Sequence, residues 1–258
     1  MRRSVLIACI MSVFMVVPVF AATIGPVNTK MSAGDTSFGL GYSLTDSQWE
    51  DTGVYSDLKI RQHRFFAQAG YGISDTWLGY VRGGLSTLNA DNAFLPGEDY
   101  EADDPIPFVT AGVNGRFYKN GNLSIGGFVQ GSYFFGENED SYQYVNVLDP
   151  PVGAETVKET VTLDTFWEAK AGLQLQMEVE GAQLYGGPMY YISRADIENS
   201  LVGAISGPWA VLSKTVEEED NFGVVVGIQW QLLEDVSLDL EAQMRSSYDF
   251  GFVLNKRF

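Results

Sequence analysis

The stretch Tyr248-Asp-Phe-Gly-Phe-Val-Leu-Asn-Lys-Arg-Phe258 decides how the rest of the chain is read. Tyr248, Phe250, Phe252, Leu254 and Phe258 fall on alternate positions, interrupted only by Lys256, and Asp249, Gly251, Val253, Asn255 and Arg257 lie between them. A period of two gives a strand with one apolar and one mixed face. At the edge of a water-soluble sheet such a strand invites aggregation. A closed barrel in a bilayer uses it: the apolar face meets lipid, and the last strand pairs with the first so that no edge remains.

Nine upstream segments share this rhythm. They run over about 36–44, 59–72, 77–88, 108–118, 123–135, 161–177, 182–194, 222–232 and 236–245. The segment Phe222 to Leu232 is the plainest, with Phe222, Val224, Val226, Ile228, Trp230 and Leu232 on six alternate positions. Leu58 and Ile60 fall out of phase with Phe65 to Tyr71, which predicts a bulge near Arg61–Arg64. Connections after the even-numbered segments are short; those after the odd ones are long and acidic, apart from the last, at Ser246–Ser247. Short turns at one end and long loops at the other are the habit of membrane barrels. The expectation is an all-β, closed, antiparallel up-and-down transmembrane barrel of ten strands, with eight or twelve as fallbacks, over residues 36–258, after a periplasmic lead-in at 22–35.

The apolar face carries aromatics near the strand ends: Tyr71, Trp77, Phe117 and Trp230 beside short turns, and Tyr133, Phe135 and Trp167 beside loops. Such belts anchor a protein at membrane interfaces. The other face points into the lumen with Arg64, Arg82, Arg116, Lys170, Arg245 and Arg257, and with Glu168, Asp239, Glu241 and Asp249. Barrels near eight strands are filled by side chains, whereas about sixteen strands leave a water channel. Unpaired charges in a narrow lumen are costly, so these residues are expected to pair across it.

The tail resembles the C-terminal signature of bacterial outer-membrane β-barrels. In that family Tyr248, Phe250, Phe252, Leu254 and Phe258 would form the segment read by the barrel-assembly machinery. Gly70-Tyr-Gly-Ile-Ser-Asp-Thr-Trp77 resembles the periplasmic hairpins of small members of the family. The overall pattern is similar to outer-membrane protein A-type and opacity-type barrels, whose interiors hold salt-bridge networks. The resemblance implies the outer membrane as location and lipid and lipopolysaccharide as surroundings.

Composition narrows the function. Met1-Arg-Arg3 precedes an apolar run from Val5 to Phe20, and Val19-Phe-Ala21 puts small residues at the positions of a cleavage site, so residues 1–21 read as a cleaved secretory signal. Of the 258 residues, 33 are acidic and 16 basic; without Arg2 and Arg3 the formal charge goes from −17 to −19. So acidic a chain does not take nucleic acid through its phosphates. The single cysteine, Cys9, lies in the signal, and the single histidine, His63, excludes a multi-histidine metal site. No run after residue 21 is long and apolar enough for a membrane helix.

Ten strands with long outer loops also resemble the omptin proteases and the lipid A-modifying barrels. Both need a histidine with acidic partners, and His63 in Arg61-Gln-His-Arg64 has no aspartate two residues away. No phosphate loop, nucleophile elbow or zinc motif is present, and no cofactor is implied. Acidic clusters such as Glu98-Asp99 with Asp103-Asp104 could gather Ca²⁺ or Mg²⁺ weakly through oxygen, without the spacing of a defined calcium loop. The insert from Ala195 to Asp220 carries an apolar patch, Leu201–Leu212, readable as a strand extension or as an adhesive surface. The expectation is a non-enzymatic barrel with a structural or surface-interaction role; the alternatives are a narrow pore and, remotely, a rim-active hydrolase.

Overall fold

A computed structural model describes residues 24–27, 30–49, 59–91, 99–101, 104–147, 154–218, 220–245 and 248–258. The expected signal, residues 1–21, lies outside them. Thirteen strands are found there: β1 (Thr36–Gln48), β2 (Lys59–Ser74), β3 (Trp77–Asp91), β4 (Tyr100–Glu101), β5 (Ile106–Asn120), β6 (Leu123–Phe134), β7 (Asn138–Val147), β8 (Ala154–Val179), β9 (Ala182–Gly203), β10 (Gly207–Glu217), β11 (Phe222–Gln231), β12 (Val236–Met244) and β13 (Tyr248–Arg257). Ten of them are the staves of one closed antiparallel barrel, in the order β1, β2, β3, β5, β6, β8, β9, β11, β12, β13. The ring closes where β1 meets β13, with Phe38 opposite Lys256 and Asp46 opposite Tyr248. Ten staves is the expected number.

The outer face is apolar. Leu40, Phe65, Val81, Leu85, Val129, Leu173, Leu175, Trp230, Phe252 and Leu254 are exposed there, and their strand neighbours Arg64, Arg82, Gln130, Gln174 and Val253 are buried inside. The aromatics expected near strand ends lie on this face too: Tyr71, Trp77, Phe117, Tyr133, Phe135 and Trp230 are exposed and Trp167 is half-buried. They pair, Trp77 with Phe117 at 5.7 Å and Tyr133 with Phe135 at 5.0 Å between ring centroids. Along the tail Tyr248, Phe252, Leu254 and Phe258 are exposed and Phe250 is half-buried.

A charge placed on this band tests which solvent it meets. Val129, midway along β6, is 58% exposed. Val129→Arg is expected to cost about 2–4 kcal/mol in lipid vesicles, the range for arginine at a bilayer midplane. Urea titration of the vesicle-folded protein reads it, and a barrel whose outer face met water would lose nothing.

No bulge occurs at Arg61–Arg64: β1, β2 and β3 keep one register from Lys59 to Gly72, and the shift falls at Gly72–Ser74. Ile60 looked out of phase because it is apolar and yet points inward, where it packs in a buried apolar cluster. The bulge that matters lies in β8, between Asp164 and Trp167 opposite β9. Thr165 there has φ 49°, a left-handed value that non-glycine residues seldom adopt, and its N–H donates to Asp164 Oδ1 at 2.6 Å. The extra residue changes the parity of the strand. Below it Phe166, Glu168 and Lys170 face inward; above it Leu163, Val161, Glu159 and Val157 do.

The long inserts are partly strand. β4 pairs β3, β7 pairs the first half of β8, and β10 pairs the second half of β9. β7, β8, β9 and β10 thus continue as a four-stranded sheet beyond the barrel wall. Ala154–Leu163, the part of β8 paired with β7, spans about 33 Å at the rise of an extended chain. The apolar patch Leu201–Leu212 is the tip of the β9–β10 hairpin, so the strand-extension reading describes its structure. The last connection, Ser246–Ser247, lies outside the described residues. An isolated bridge from Trp49 to Glu218 links the ends of β1 and β10 on that side of the barrel mouth.

Candidate functional site: the filled lumen

The interior is stacked in three tiers. The middle tier is ionic. Arg64 of β2 meets Glu168 of β8 through two parallel hydrogen bonds, Nη1 to Oε1 at 2.7 Å and Nη2 to Oε2 at 2.8 Å. Glu168 also accepts from Ser132 Oγ at 3.1 Å and Tyr191 Oη at 3.1 Å. Lys170 donates to Asp249 at 2.9 Å and to Gln243 at 2.9 Å. Arg245 bonds both oxygens of Asp249, at 2.9 and 3.1 Å, and also Glu218. The side chains of both ion pairs on Asp249 and of Arg64 with Glu168 are at most 3% exposed. Aromatic faces carry the cations: Arg245 lies 4.0 Å from the Tyr191 ring centre, Lys170 4.9 Å from the same ring, and Arg64 4.8 Å from Phe134. Each is within the range for cation–π attraction.

Toward the loop end the interior is apolar. Trp49, Ile60, Leu88, Tyr100, Ile106, Phe108, Phe134, Leu163, Phe166, Ile197 and Val216 form one buried cluster. Phe134 and Phe166 stack at 4.3 Å, and Phe108 and Phe134 at 5.5 Å. This tier was not expected. On β3, β5 and β6 its members, and Phe166 of β8, fall on the face read as polar, and the Thr165 bulge brings Val161 and Leu163 inside.

Toward the short turns the lining is mixed: Arg82, Asp239 and Glu241 carry charge, and amides and hydroxyls alternate with an apolar patch of Phe128, Tyr185, Met189 and Val225. Arg82 donates to Gln68 at 2.7 Å and to Gln130 at 3.4 Å, and its guanidinium lies 4.7 Å from the Tyr80 ring centre. Asp239 accepts from Asn255 at 2.8 Å. Tyr80 and Tyr185 lie flat along the wall because glycines sit under their rings: a Cβ on Gly112 would come within 2.5 Å of Tyr80, and one on Gly227 within 2.3 Å of Tyr185. Of the stretch expected as a lead-in outside the barrel, Ile24, Gly25, Pro26 and Val27 lie buried in this tier. A cavity of about 70 Å³ remains beside them, bordered by Arg82, Asn114, Asp239 and Asn255.

The structure therefore brings together Arg64 with Glu168, and Lys170 and Arg245 with Asp249. Arg82, Asp239 and Glu241 are inside but meet amides, a phenol and backbone rather than an ion partner at close range. Arg116 and Arg257 are not in the cross-lumen network. Both sit at the short-turn rim, where Arg116 reaches the Asp75 carbonyl at 3.5 Å and Arg257 those of Lys30 and, at 3.0 Å, Glu234. Both are half-buried near strand ends, so they reach neighbouring turn backbone rather than the opposite wall. Sequence reading missed Tyr191, Gln130, Asn114 and Glu218. The first three are on inward positions that alternation marks, but nothing singles them out. Glu218 sits in an acidic run whose neighbours are alike.

His63 is half-buried on the outward face of β2, where its Nδ1 shares a 2.7 Å hydrogen bond with the Tyr42 hydroxyl. Among the described residues no group of three or more His, Cys, Asp or Glu side chains comes together as metal ligands do. Glu98 and Asp103 of the acidic cluster considered for cations lie outside the described residues.

No protein-family model and no curated protein matches the chain. Solved structures similar to it include the translocator domain of the autotransporter NalP from Neisseria meningitidis, with TM-score 0.43 and 10% identity over 90% of each chain. The outer-membrane protease OmpT from Escherichia coli has TM-score 0.41 and 11% identity, over 87% of this chain and 96% of that one. An outer-membrane channel from Pseudomonas putida F1 has TM-score 0.41 and 12% identity, over 92% and 100%. On its own geometry the chain is a closed ten-stranded up-and-down barrel with an apolar outer wall and its buried charges held inside, which is the arrangement a bilayer requires.

Proposed function

We propose that this protein is an integral outer-membrane barrel of a two-membrane bacterium whose role is structural or in surface interaction, without catalysis. The observation that carries this is the filled lumen, with an apolar tier over an ionic tier over a seated N-terminal segment. In this orientation the short turns face the periplasm and the β7–β10 sheet stands outside the cell. Its β9–β10 tip exposes Val202, Ile205, Val211 and Leu212, an apolar patch available to a partner. The outer aromatics meet lipid and lipopolysaccharide, the tail from Tyr248 to Phe258 is the element offered to the assembly machinery, and the acidic loops hold divalent cations weakly at most.

In planar bilayers the purified protein is expected to give no steady open current. Sustained single-channel conductance would replace this reading with that of a narrow pore. The surface role is checked separately by replacing residues 201–212 with a short turn: the barrel is expected to keep its heat-dependent gel mobility while attachment of expressing cells to abiotic or cellular surfaces falls. Unchanged attachment removes the hairpin from that role. The hydrolase reading has least support, because the sole histidine is engaged by Tyr42 on the outer wall.

A further inference from the structure

The four residues inside the short-turn tier are held by a set of contacts that together resemble a ligand in a pocket. Glu241 of β12 accepts from Ile24 N at 2.9 Å with both oxygens and from Gly25 N at 3.0 Å. That carboxylate is itself held by Tyr185 Oη at 2.9 Å and Gln243 Nε2 at 2.9 Å. On the opposite side Asn114 Nδ2 donates to the carbonyls of Ile24 at 3.3 Å and Pro26 at 3.2 Å. The Ile24 side chain fills an apolar pocket made by Phe128, Tyr185, Met189 and Val225. Val27 packs over Gly126, where a Cβ would come within 2.7 Å of it. Gly25 turns at φ +84°, a value that favours glycine. The third residue is a proline, which has no N–H to satisfy.

We propose that the short-turn half of the lumen is a peptide-binding site, and that its ligand is the chain's own Ile24-Gly-Pro-Val27 segment, held in exchange rather than permanently trapped. Two donors on one carboxylate, two carbonyls on one amide and an apolar pocket for the first side chain read backbone and sequence together. The cavity borders Ile24, Gly25 and Pro26 together with Asn114 of the clamp, and extends to Lys30 and Arg257 at the short-turn rim, the side toward which the segment leaves. A vacated site takes a free peptide of the same sequence from that side.

The test uses the full chain with Cys9→Ser and a single Val27→Cys, cysteine being a small apolar residue that keeps the packing. A charged, water-soluble maleimide is added to the detergent-folded protein, and heat-dependent gel mobility shows that the barrel stays intact. The expected result is slow labelling that Glu241→Ala accelerates about tenfold or more, since bonds to a charged acceptor are lost. Acetylated Ile-Gly-Pro-Val amide at millimolar concentration is expected to accelerate labelling in a dose-dependent way by holding the site open. The scrambled Val-Pro-Gly-Ile amide is expected to leave the rate alone. Labelling as fast as in the urea-unfolded chain overturns the proposal, as does an equal effect of the two peptides. An unchanged rate in an intact Glu241→Ala barrel also overturns it, and if that variant fails to fold the peptide comparison decides alone.

Discussion

Glu168→Ala is expected to cost about 3–5 kcal/mol of barrel stability, the range for breaking a buried ion pair by removing one partner. Glu168 is 1% exposed and receives two bonds from Arg64 and one each from Ser132 and Tyr191. Its loss leaves a guanidinium in the middle of the lumen whose main charge partner is gone, with Gln62 and the Phe134 ring to meet it. Neither neutralises a charge cut off from water. The measurement is the temperature or urea concentration at which the detergent-folded protein loses its compact gel mobility. The double variant Arg64→Met with Glu168→Leu is expected to recover most of the loss, because an apolar pair of similar volume often replaces a buried ion pair without penalty. A single variant as stable as the parent would show that the ionic tier is not structural.

Phe134→Ala is expected to cost a similar amount, about 3–5 kcal/mol, by a different mechanism. Phe134 is 1% exposed and stacks on Phe166 and Phe108, with Arg64 over its face. Truncation removes apolar burial, leaves a cavity under those rings and withdraws one support of Arg64. Phe134→Leu is expected to cost much less, since most of the volume stays. Adding Phe134→Ala to Glu168→Ala should fall short of the sum of the two, because both act on Arg64. Full additivity would mean that the two tiers do not share that residue. With Val129→Arg on the outer face, these variants probe the lipid face, the ionic tier and the apolar tier separately.

The barrel was legible in the chain for a physical reason. Strand periodicity is two, and a closed wall between lipid and a polar interior forces alternation on every stave. Phe222 to Leu232 and Tyr248 to Phe258 carry that signal without interruption, and the sorting of turns and loops by length carries the antiparallel order. Where the sequence misled, a local feature had been read without its neighbours. Ile60 looked like a slipped register because the inward face was assumed polar, whereas the loop-end interior is apolar. Val161 and Leu163 share parity with Trp167, and only the Thr165 bulge sends them inside.

Arg64, Glu168, Lys170, Arg245 and Asp249 could be named from alternation alone, because it fixes which face a residue takes. It does not fix which residues meet across the lumen. Strand tilt and stagger set that, and they put Arg64 beside Glu168, 104 positions away, while leaving Arg82 to amides. The rim placement of Arg116 and Arg257 likewise depends on where each stave ends. The four N-terminal residues in the lumen left no mark in the sequence. A short Ile-Gly-Pro-Val stretch has no period, and its partners Glu241 and Asn114 are 217 and 90 positions from Ile24. By itself, then, the sequence determined the membrane-type barrel, about ten staves and the charged residues that face inward along their middles, since these follow from local periodicity. Only the tertiary structure decided the pairing of charges, the apolar tier and the filling of the lumen, since these arise from contacts between residues far apart in the chain.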